Sequence, residues 1–204
     1  MDLLTPIEQH PLEPFLPENA RVLFLGSFPP QRKRWCMPFF YPNYINDHWR
    51  IQGAVFHADP LHFVDAEHKC FRYEAVVEHA RRIGIAYFDT ATAVRRLADN
   101  ASDKFLEVIT PTDVSALFAR LPRLQAVITT GELATRTLCT FFGVAELPRI
   151  ACPIALPSIA SGTVGSDKVI ELYRLPSSSR AYPLAFSKKV EAYRDMFRRY
   201  GYQM

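Results

Sequence analysis

Residues 21–30 read RVLFLGSFPP, and this segment decides the fold class of the chain. Its first five residues form a short, almost continuous apolar run that Gly26 closes. An apolar run of this length is typical of a β-strand that is covered on both faces, as in a parallel sheet flanked by helices. The segment therefore favours an α/β fold.

Three later segments repeat this strand pattern, and helical patterns lie between them. The strands are predicted at 21–25, 85–89, 126–130 and 169–175. The helices are predicted at 49–56, 73–83, 114–121, 133–142 and about 184–200. The alternation predicts a three-layer α/β/α fold with a central, mainly parallel four-stranded sheet. In such sheets ligands bind beyond the carboxyl ends of the strands.

Length and composition indicate one folded domain. The chain has 204 residues, of which 49% are hydrophobic and 22% charged, values that exclude disorder and coiled coil. Residues 1–20, which are acidic and rich in proline, are predicted to form an N-terminal arm, and 21–204 a single domain. Segment 143–168 interrupts the alternation and is predicted to be an elaborated connection with a short extra strand near 150–156.

Two classes of protein are not expected from this sequence. No apolar run approaches the roughly 20 residues of a membrane span, and the N-terminus does not resemble a signal peptide, so we expect a cytoplasmic protein with no membrane partner. Cys36, Cys70, Cys139 and Cys152 lack the close spacing of structural zinc and iron–sulfur sites. We therefore expect reduced cysteines and no metal.

The small net charge of +3 conceals an uneven distribution. Residues 21–50 contain five basic groups and one acidic group, and residues 168–204 contain eight basic and three acidic groups. Segments 1–20 and 51–167 are net acidic. If the two basic segments meet in space, they form a face suited to phosphates. On charge alone, chance clustering of surface lysine and arginine explains the pattern equally well.

The two basic segments also carry the most distinctive motifs. The first contains GSFPP at 26–30, FY at 40–41 and NDHW at 46–49, and the second contains LPSSSRAY at 175–182. Together with 84–89 and 127–131, these motifs resemble, in order, the uracil-DNA glycosylase superfamily, most closely its mismatch-specific and hypoxanthine-type branch. The resemblance covers roughly residues 20–200.

The resemblance implies a monofunctional DNA glycosylase in base-excision repair. Such an enzyme hydrolyses the N-glycosidic bond of a deaminated base, uracil or hypoxanthine, in double- or single-stranded DNA, as a monomer and without a cofactor. The target base must leave the helical stack, and the reaction passes through an oxocarbenium-like sugar. The site therefore needs a polar group that holds the attacking water, hydrogen-bond donors that stabilise the departing base, and groups that bind the flanking phosphates.

The resemblance places the catalytic residues at Asn46 and Asp47. The superfamily's commonest catalytic residue is an Asp or Asn in the first motif, but residues 26–30 of this chain contain neither. In the hypoxanthine-type branch an asparagine later in the chain serves instead, and Asn46 occupies that place. Asp47 is a second candidate, as a general base. The structural alternatives are that Asn46 caps the following helix and that Asp47 is an acidic residue favoured by the helix dipole.

The resemblance also places residues that contact the base and the DNA backbone. Phe40 or Tyr41, with Tyr41 preferred, stacks on the base, and the turn Gly26, Ser27 and Phe28 presents backbone N–H groups to it. The candidate DNA contacts are Arg32, Lys33, Arg34, Ser177, Ser178, Ser179, Arg180 and Tyr182. Hydroxyls ahead of a helix N-terminus suit a phosphate. The structural alternatives are that Phe40 and Tyr41 are core residues, that 26–28 is an ordinary turn after a strand, and that 177–179 is a solvated linker.

Three departures from the family pattern leave the substrate open. Arg180 replaces the usual proline, Asp47 and His48 replace less polar residues, and the second-motif histidine of the uracil-specific branch is absent. One alternative is a non-catalytic nucleic-acid-binding member of the superfamily. Another is a small-molecule hydrolase with a serine nucleophile, which is disfavoured because the chain lacks a GxSxG motif and an obvious activating histidine.

Overall fold

The computed structural model describes residues 6–98, 103–157 and 169–204. Five α-helices are α1 His48–Phe56, α2 Tyr73–Ile83, α3 Val114–Ala119, α4 Glu132–Phe141 and α5 Phe186–Arg199. The strands are β1 Ile7–Gln9, β2 Val22–Gly26, β3 Val64–Asp65, β4 Cys70–Phe71, β5 Ile85–Asp89, β6 Ala91–Arg96, β7 Leu106–Pro111, β8 Ala126–Thr129, β9 Ile154–Ala155 and β10 Glu171–Arg174. All five predicted helices and all four predicted strands are present, with ends that differ by a few residues.

The central sheet has five strands, in the order β5-β2-β8-β10-β9. The first four strands are parallel, but β9 pairs antiparallel with β10. The prediction of four strands is therefore wrong, because the sheet has five strands and is mixed. The additional strand is the short one expected near 150–156, and its two residues give too little pattern to predict that it joins the sheet edge.

Helices cover both faces of this sheet. Successive side chains of a strand point to opposite faces, and the first four residues of β2 are all fully buried. On one face the ring of Phe24 contacts His48 of α1 and Tyr193 of α5, with ring centroids 5.3 and 6.2 Å apart. These helices hold the segments that precede them, 40–47 and 175–185, at the carboxyl end of the sheet.

A second sheet, which the sequence pattern does not predict, lies beside the first. It has the order β1-β6-β7 and is antiparallel throughout. Strand β6 follows β5 after a single residue, and Arg96 in β6 forms an ion pair with Glu8 in β1 at 3.0 Å. Residues 6–20, expected as an arm, thus contribute a strand, and Phe15 also pairs with Tyr87 of the central sheet.

Residues 158–168, which belong to the predicted connection 143–168, lie outside the described residues. They include Lys168, the first residue of the second basic segment. Within the described ranges, no helix combines the length and apolar character that a membrane crossing requires.

Candidate active site

One cleft of about 650 Å³ opens at the carboxyl ends of β2, β5 and β8. It is lined by twelve of the fifteen residues predicted to form the site: Gly26, Ser27, Phe28, Arg34, Phe40, Tyr41, Asn46, Ser177, Ser178, Ser179, Arg180 and Tyr182. Asp47, Arg32 and Lys33 are not in its lining. The position of the cleft agrees with the rule that ligands bind beyond the carboxyl ends of parallel strands.

The two sequence motifs meet at this cleft through backbone contacts. Asn46 and Ser179 form an isolated antiparallel bridge, and the backbone N–H of Asp47 donates to the carbonyl of Ser178 at 3.0 Å. We call residues 177–179 the serine loop. The tertiary structure therefore brings together two segments that are far apart in the chain and that both carry positive charge.

Asn46 lies two residues before the start of α1 and is half-buried in the cleft wall. Its side-chain Oδ1 accepts the N–H of His48, the first residue of α1, at 2.9 Å. This contact satisfies one of the free N–H groups at the helix start, so the structural role considered for Asn46 is present. The oxygen keeps a second lone pair, and the NH₂ group makes no hydrogen bond within the described part of the chain.

Asp47 is buried beside the cleft and is bound by two cations. Its Oδ1 accepts from Arg180 Nε at 2.8 Å, and its Oδ2 lies 3.6 Å from Lys189 Nζ. Lys189 also donates to the carbonyl of Ser179 at 2.6 Å. The carboxylate of Asp47 is therefore used in holding the serine loop to the segment before α1.

The serine hydroxyls are arranged to donate hydrogen bonds. Ser177 Oγ accepts the N–H of Ser179, and Ser179 Oγ accepts the N–H of Ala181, both at 3.2 Å. Because each oxygen already accepts, its O–H can point outward as a donor. Ser178 is buried, with 2% of its surface exposed. Ser177 and Ser179 are thus the better placed of the three to contact an anion.

Aromatic rings form one wall of the cleft. The ring of Tyr41 stacks on the imidazole of His48, with centroids 3.8 Å apart and planes 7° from parallel, and its hydroxyl lies 3.0 Å from Thr130 Oγ1. Burial raises the pKa of Tyr41 well above its usual value and lowers the pKa of His48 well below it, so both rings are neutral at physiological pH. Phe40 stacks on Tyr87 behind this pair.

Asp89 is a cleft residue that the sequence analysis did not single out. It ends β5, pairs in register with Gly26, and its Oδ2 lies 2.9 Å from Nε2 of His10. A Cβ atom at position 26 would collide with Asp89 Oδ1, so any larger residue there must displace that carboxylate. The position of Asp89 at the end of a predicted strand was a usable signal, whereas His10 had none.

A second carboxylate, Asp103, also lines the cleft. It accepts the hydroxyl of Ser27 at 2.7 Å. Burial raises the pKa of Asp103, and the charge of Asp89 adds to this effect, while the hydrogen bond from Ser27 opposes it. Asp103 precedes β7, which was not predicted, and this explains why the sequence analysis missed it.

The cleft therefore has an acidic interior and a basic rim. Asp89 and Asp103 offer acceptors inside, where the buried guanidinium of Arg96 is paired with Glu8. Arg34 and Arg180 are the more exposed cations of the lining. Arg32 and Lys33 are exposed outside the cleft lining, and the guanidinium of Arg32 lies 4.3 Å from the ring of Trp35. This arrangement suits a planar group with N–H donors inside and phosphates at the rim. The described residues contain no group of three His, Cys, Asp or Glu that could hold a metal ion.

Comparisons with known proteins give a match at the level of structure. No family model matches the sequence, and no curated protein matches it. The fold is similar to the solution NMR structure of a protein from Methanosarcina acetivorans that is provisionally named a uracil DNA glycosylase. The TM-score is 0.62 at 22% identity, and the match covers 96% of this chain and 99% of the other. The likeness is one of fold along the whole chain.

Proposed function

We propose that the protein is a monofunctional DNA glycosylase that removes a deaminated base, uracil or hypoxanthine, from DNA. The observation that carries this proposal is the pairing of Asn46 with Ser179, which joins the two glycosylase-like motifs at one cleft. The fold likeness to a protein provisionally named a uracil DNA glycosylase supports it. The cleft is large enough for a flipped nucleoside, since ligand pockets usually measure about 300–1,000 Å³.

In this proposal the flipped base lies against the aromatic wall and the turn after β2. Phe40 or Tyr41 stacks on the base, and Gly26, Ser27 and Phe28 approach its edge through backbone N–H groups. Asp89 accepts a hydrogen bond from the ring N–H of the base. Uracil and hypoxanthine both carry a ring N–H beside a carbonyl, so a carboxylate and backbone N–H groups together match that edge.

Asn46 holds the water that attacks C1′ of the deoxyribose. The N-glycosidic bond breaks, its electron pair leaves with the base, and the sugar carries positive charge in the transition state. The water oxygen then bonds to C1′, and the proton that it loses passes through solvent to the released base. The carboxylates of Asp89 and Asp103 stabilise that charge electrostatically. Because Asp47 is bound by Arg180 and Lys189, we assign it a holding role in preference to the role of general base.

The serine loop and the basic rim hold the DNA backbone. The hydroxyls of Ser177 and Ser179 donate to a phosphate that flanks the flipped nucleotide, and Arg34 and Arg180 supply positive charge beside it. Arg32 and Lys33 add more distant backbone contacts, and Tyr182 borders the space next to the flipped base. These contacts fix the DNA without reading its sequence.

A base-release assay tests the proposal. Oligonucleotides that contain uracil or hypoxanthine, single-stranded and paired, are incubated with the protein, and abasic sites are detected by alkaline cleavage. We expect release from at least one substrate. Asn46→Ala should lower the single-turnover rate roughly 100-fold, whereas Asn19→Ala, whose amide donates to Arg81 O away from the cleft, should not change it. Tight, salt-sensitive binding without abasic product from any substrate would instead favour the non-catalytic relative.

A further inference from the structure

Helix α5 buries a lysine in its first turn. Lys189 is only 2% exposed, although lysine is almost never buried without a partner. A cation near a helix N-terminus is also disfavoured by the helix dipole. The preceding residue, Lys188, has the exposure usual for lysine, and its Nζ pairs with Glu191 on the same helix at 2.7 Å. The burial of Lys189 therefore requires a specific compensation.

That compensation comes from both segments that meet at the cleft. Lys189 Nζ donates to the carbonyl of Ser179 at 2.6 Å and lies 3.6 Å from Asp47 Oδ2. Ser179 in turn pairs with Asn46. One ammonium group thus contacts the serine loop and the segment before α1 at the point where they join.

We propose that Lys189 is a positioning residue that holds the serine loop against the Asn46 segment. Asp47 is the shared counter-charge, and Arg180 reinforces it from the solvent side through its 2.8 Å contact with Asp47. The inference rests on the proposed function for the roles of the groups that Lys189 positions, namely the amide of Asn46 that holds water and the serine-loop hydroxyls that bind phosphate. The holding itself depends only on the contacts.

Removal of the ammonium group has a direct physical consequence. The Ser179 carbonyl and the Asp47 carboxylate would lose a buried partner, and buried polar groups without partners are strongly unfavourable. The serine loop regains hydrogen bonds to water by separating from the Asn46 segment. We therefore expect local opening of the loop ahead of global unfolding.

Limited proteolysis of the native protein measures this opening. Trypsin cleaves after Arg180, which follows the serine loop directly, and cleavage of a folded segment reports the population of its open form. Lys189→Met should accelerate cleavage at Arg180 at least roughly tenfold and lower the single-turnover release rate by a similar factor. Lys188→Met removes the same charge one residue away and should leave both rates within about twofold of wild type.

A second variant keeps the test informative if Lys189→Met does not fold. Asp47→Asn preserves the size of the side chain and removes the counter-charge, and it should also accelerate cleavage at Arg180. In the double variant the two effects should fall short of their product, because both variants remove the contact between Lys189 and Asp47, although Asp47→Asn also frees Arg180.

The possible outcomes separate the two proposals. If Lys189→Met behaves like Lys188→Met in proteolysis, the positioning role is wrong even when the wild-type protein releases a base. If Lys189→Met frees the loop but the wild-type protein releases no base, the positioning role stands and the glycosylase proposal fails.

Discussion

Replacing Gly26 with alanine should damage both the stability and the chemistry of the cleft. A Cβ atom at this position would lie closer to Asp89 Oδ1 than the 3.0 Å that real Cβ contacts respect. The carboxylate cannot move aside freely, because Asp89 is 7% exposed and its Oδ2 is bound to His10 at 2.9 Å. The added methyl group must therefore displace Asp89 and weaken its contact with His10.

The expected magnitude follows from two effects. Forcing an added methyl group against a held side chain costs about 1–3 kcal/mol, and a buried acceptor that loses its partner costs about 1–3 kcal/mol. We expect a loss of about 3 kcal/mol in the free energy of unfolding, which lowers the Tm of a domain of this size by roughly 6–12 °C. A shift of about 1 Å in a cleft residue should also lower the single-turnover release rate about 100-fold.

Thermal unfolding of five proteins, namely the wild type, Gly26→Ala, Gly131→Ala, Asp89→Ala and the Gly26→Ala/Asp89→Ala double variant, measures the cost of this clash. Gly131→Ala is the matched control, because a Cβ there lies 3.4 Å from Asp103 Oδ2, an ordinary contact, and the backbone φ of −165° accepts any residue. It should cost no more than about 1 kcal/mol, the usual value for alanine at a helix N-cap. In an Asp89→Ala background, Gly26→Ala should also cost less than about 1 kcal/mol, because the obstacle is gone. Equal losses in both backgrounds would refute the clash with Asp89.

Three further predictions concern pH, DNA binding and helix capping. The pKa of His79 is lowered to about 3 by burial, from 6.5. The unfolded chain therefore binds more protons between these values, and stability is full above pH 6.5 and falls as the pH decreases. At pH 5 the loss is about 2 kcal/mol, so His79→Leu should flatten the urea-measured pH dependence by that amount, and an unchanged pH dependence in this variant would contradict the prediction. Arg34→Ala should lower the slope of log Kd against log salt for DNA by about one, measured by fluorescence anisotropy, while exposed Arg120→Ala should leave it unchanged. Asp113→Ala should destabilise the protein by about 1 kcal/mol in urea unfolding, since it removes the side chain that accepts the Ala116 N–H at 3.1 Å, and no loss would contradict the cap.

The sequence predicts the parts of the fold that rest on local pattern. The strand that ends at Gly26 and its parallel neighbours have continuous apolar runs, and the helical pattern at 114–121 corresponds to α3. The meeting of Asn46 and Ser179 at one cleft follows from the rule for carboxyl strand ends. Their catalytic and binding roles remain predictions.

The features that the sequence does not predict depend on tertiary contacts. Strand β6 lacks regular alternation of buried and exposed residues, and its pairing with β7 contains register shifts. The apolar stripe of α5 gives no reason to bury Lys189, because its partners come from two distant segments. His10 reaches Asp89 only because β1 joins the second sheet. Each of these contacts lies outside what a periodic pattern can encode.

Strand β1 also has a consequence for biosynthesis. The ion pair between Glu8 and Arg96 spans 88 residues, and β1 bonds only to β6 in its sheet. At a synthesis rate of about 5–20 residues per second, roughly 4–18 s pass between the emergence of the two strands. During that interval β1 has no strand to pair with, and His10 has no contact with Asp89. The contact between His10 and Asp89 therefore forms only after β5 and β6 have left the ribosome.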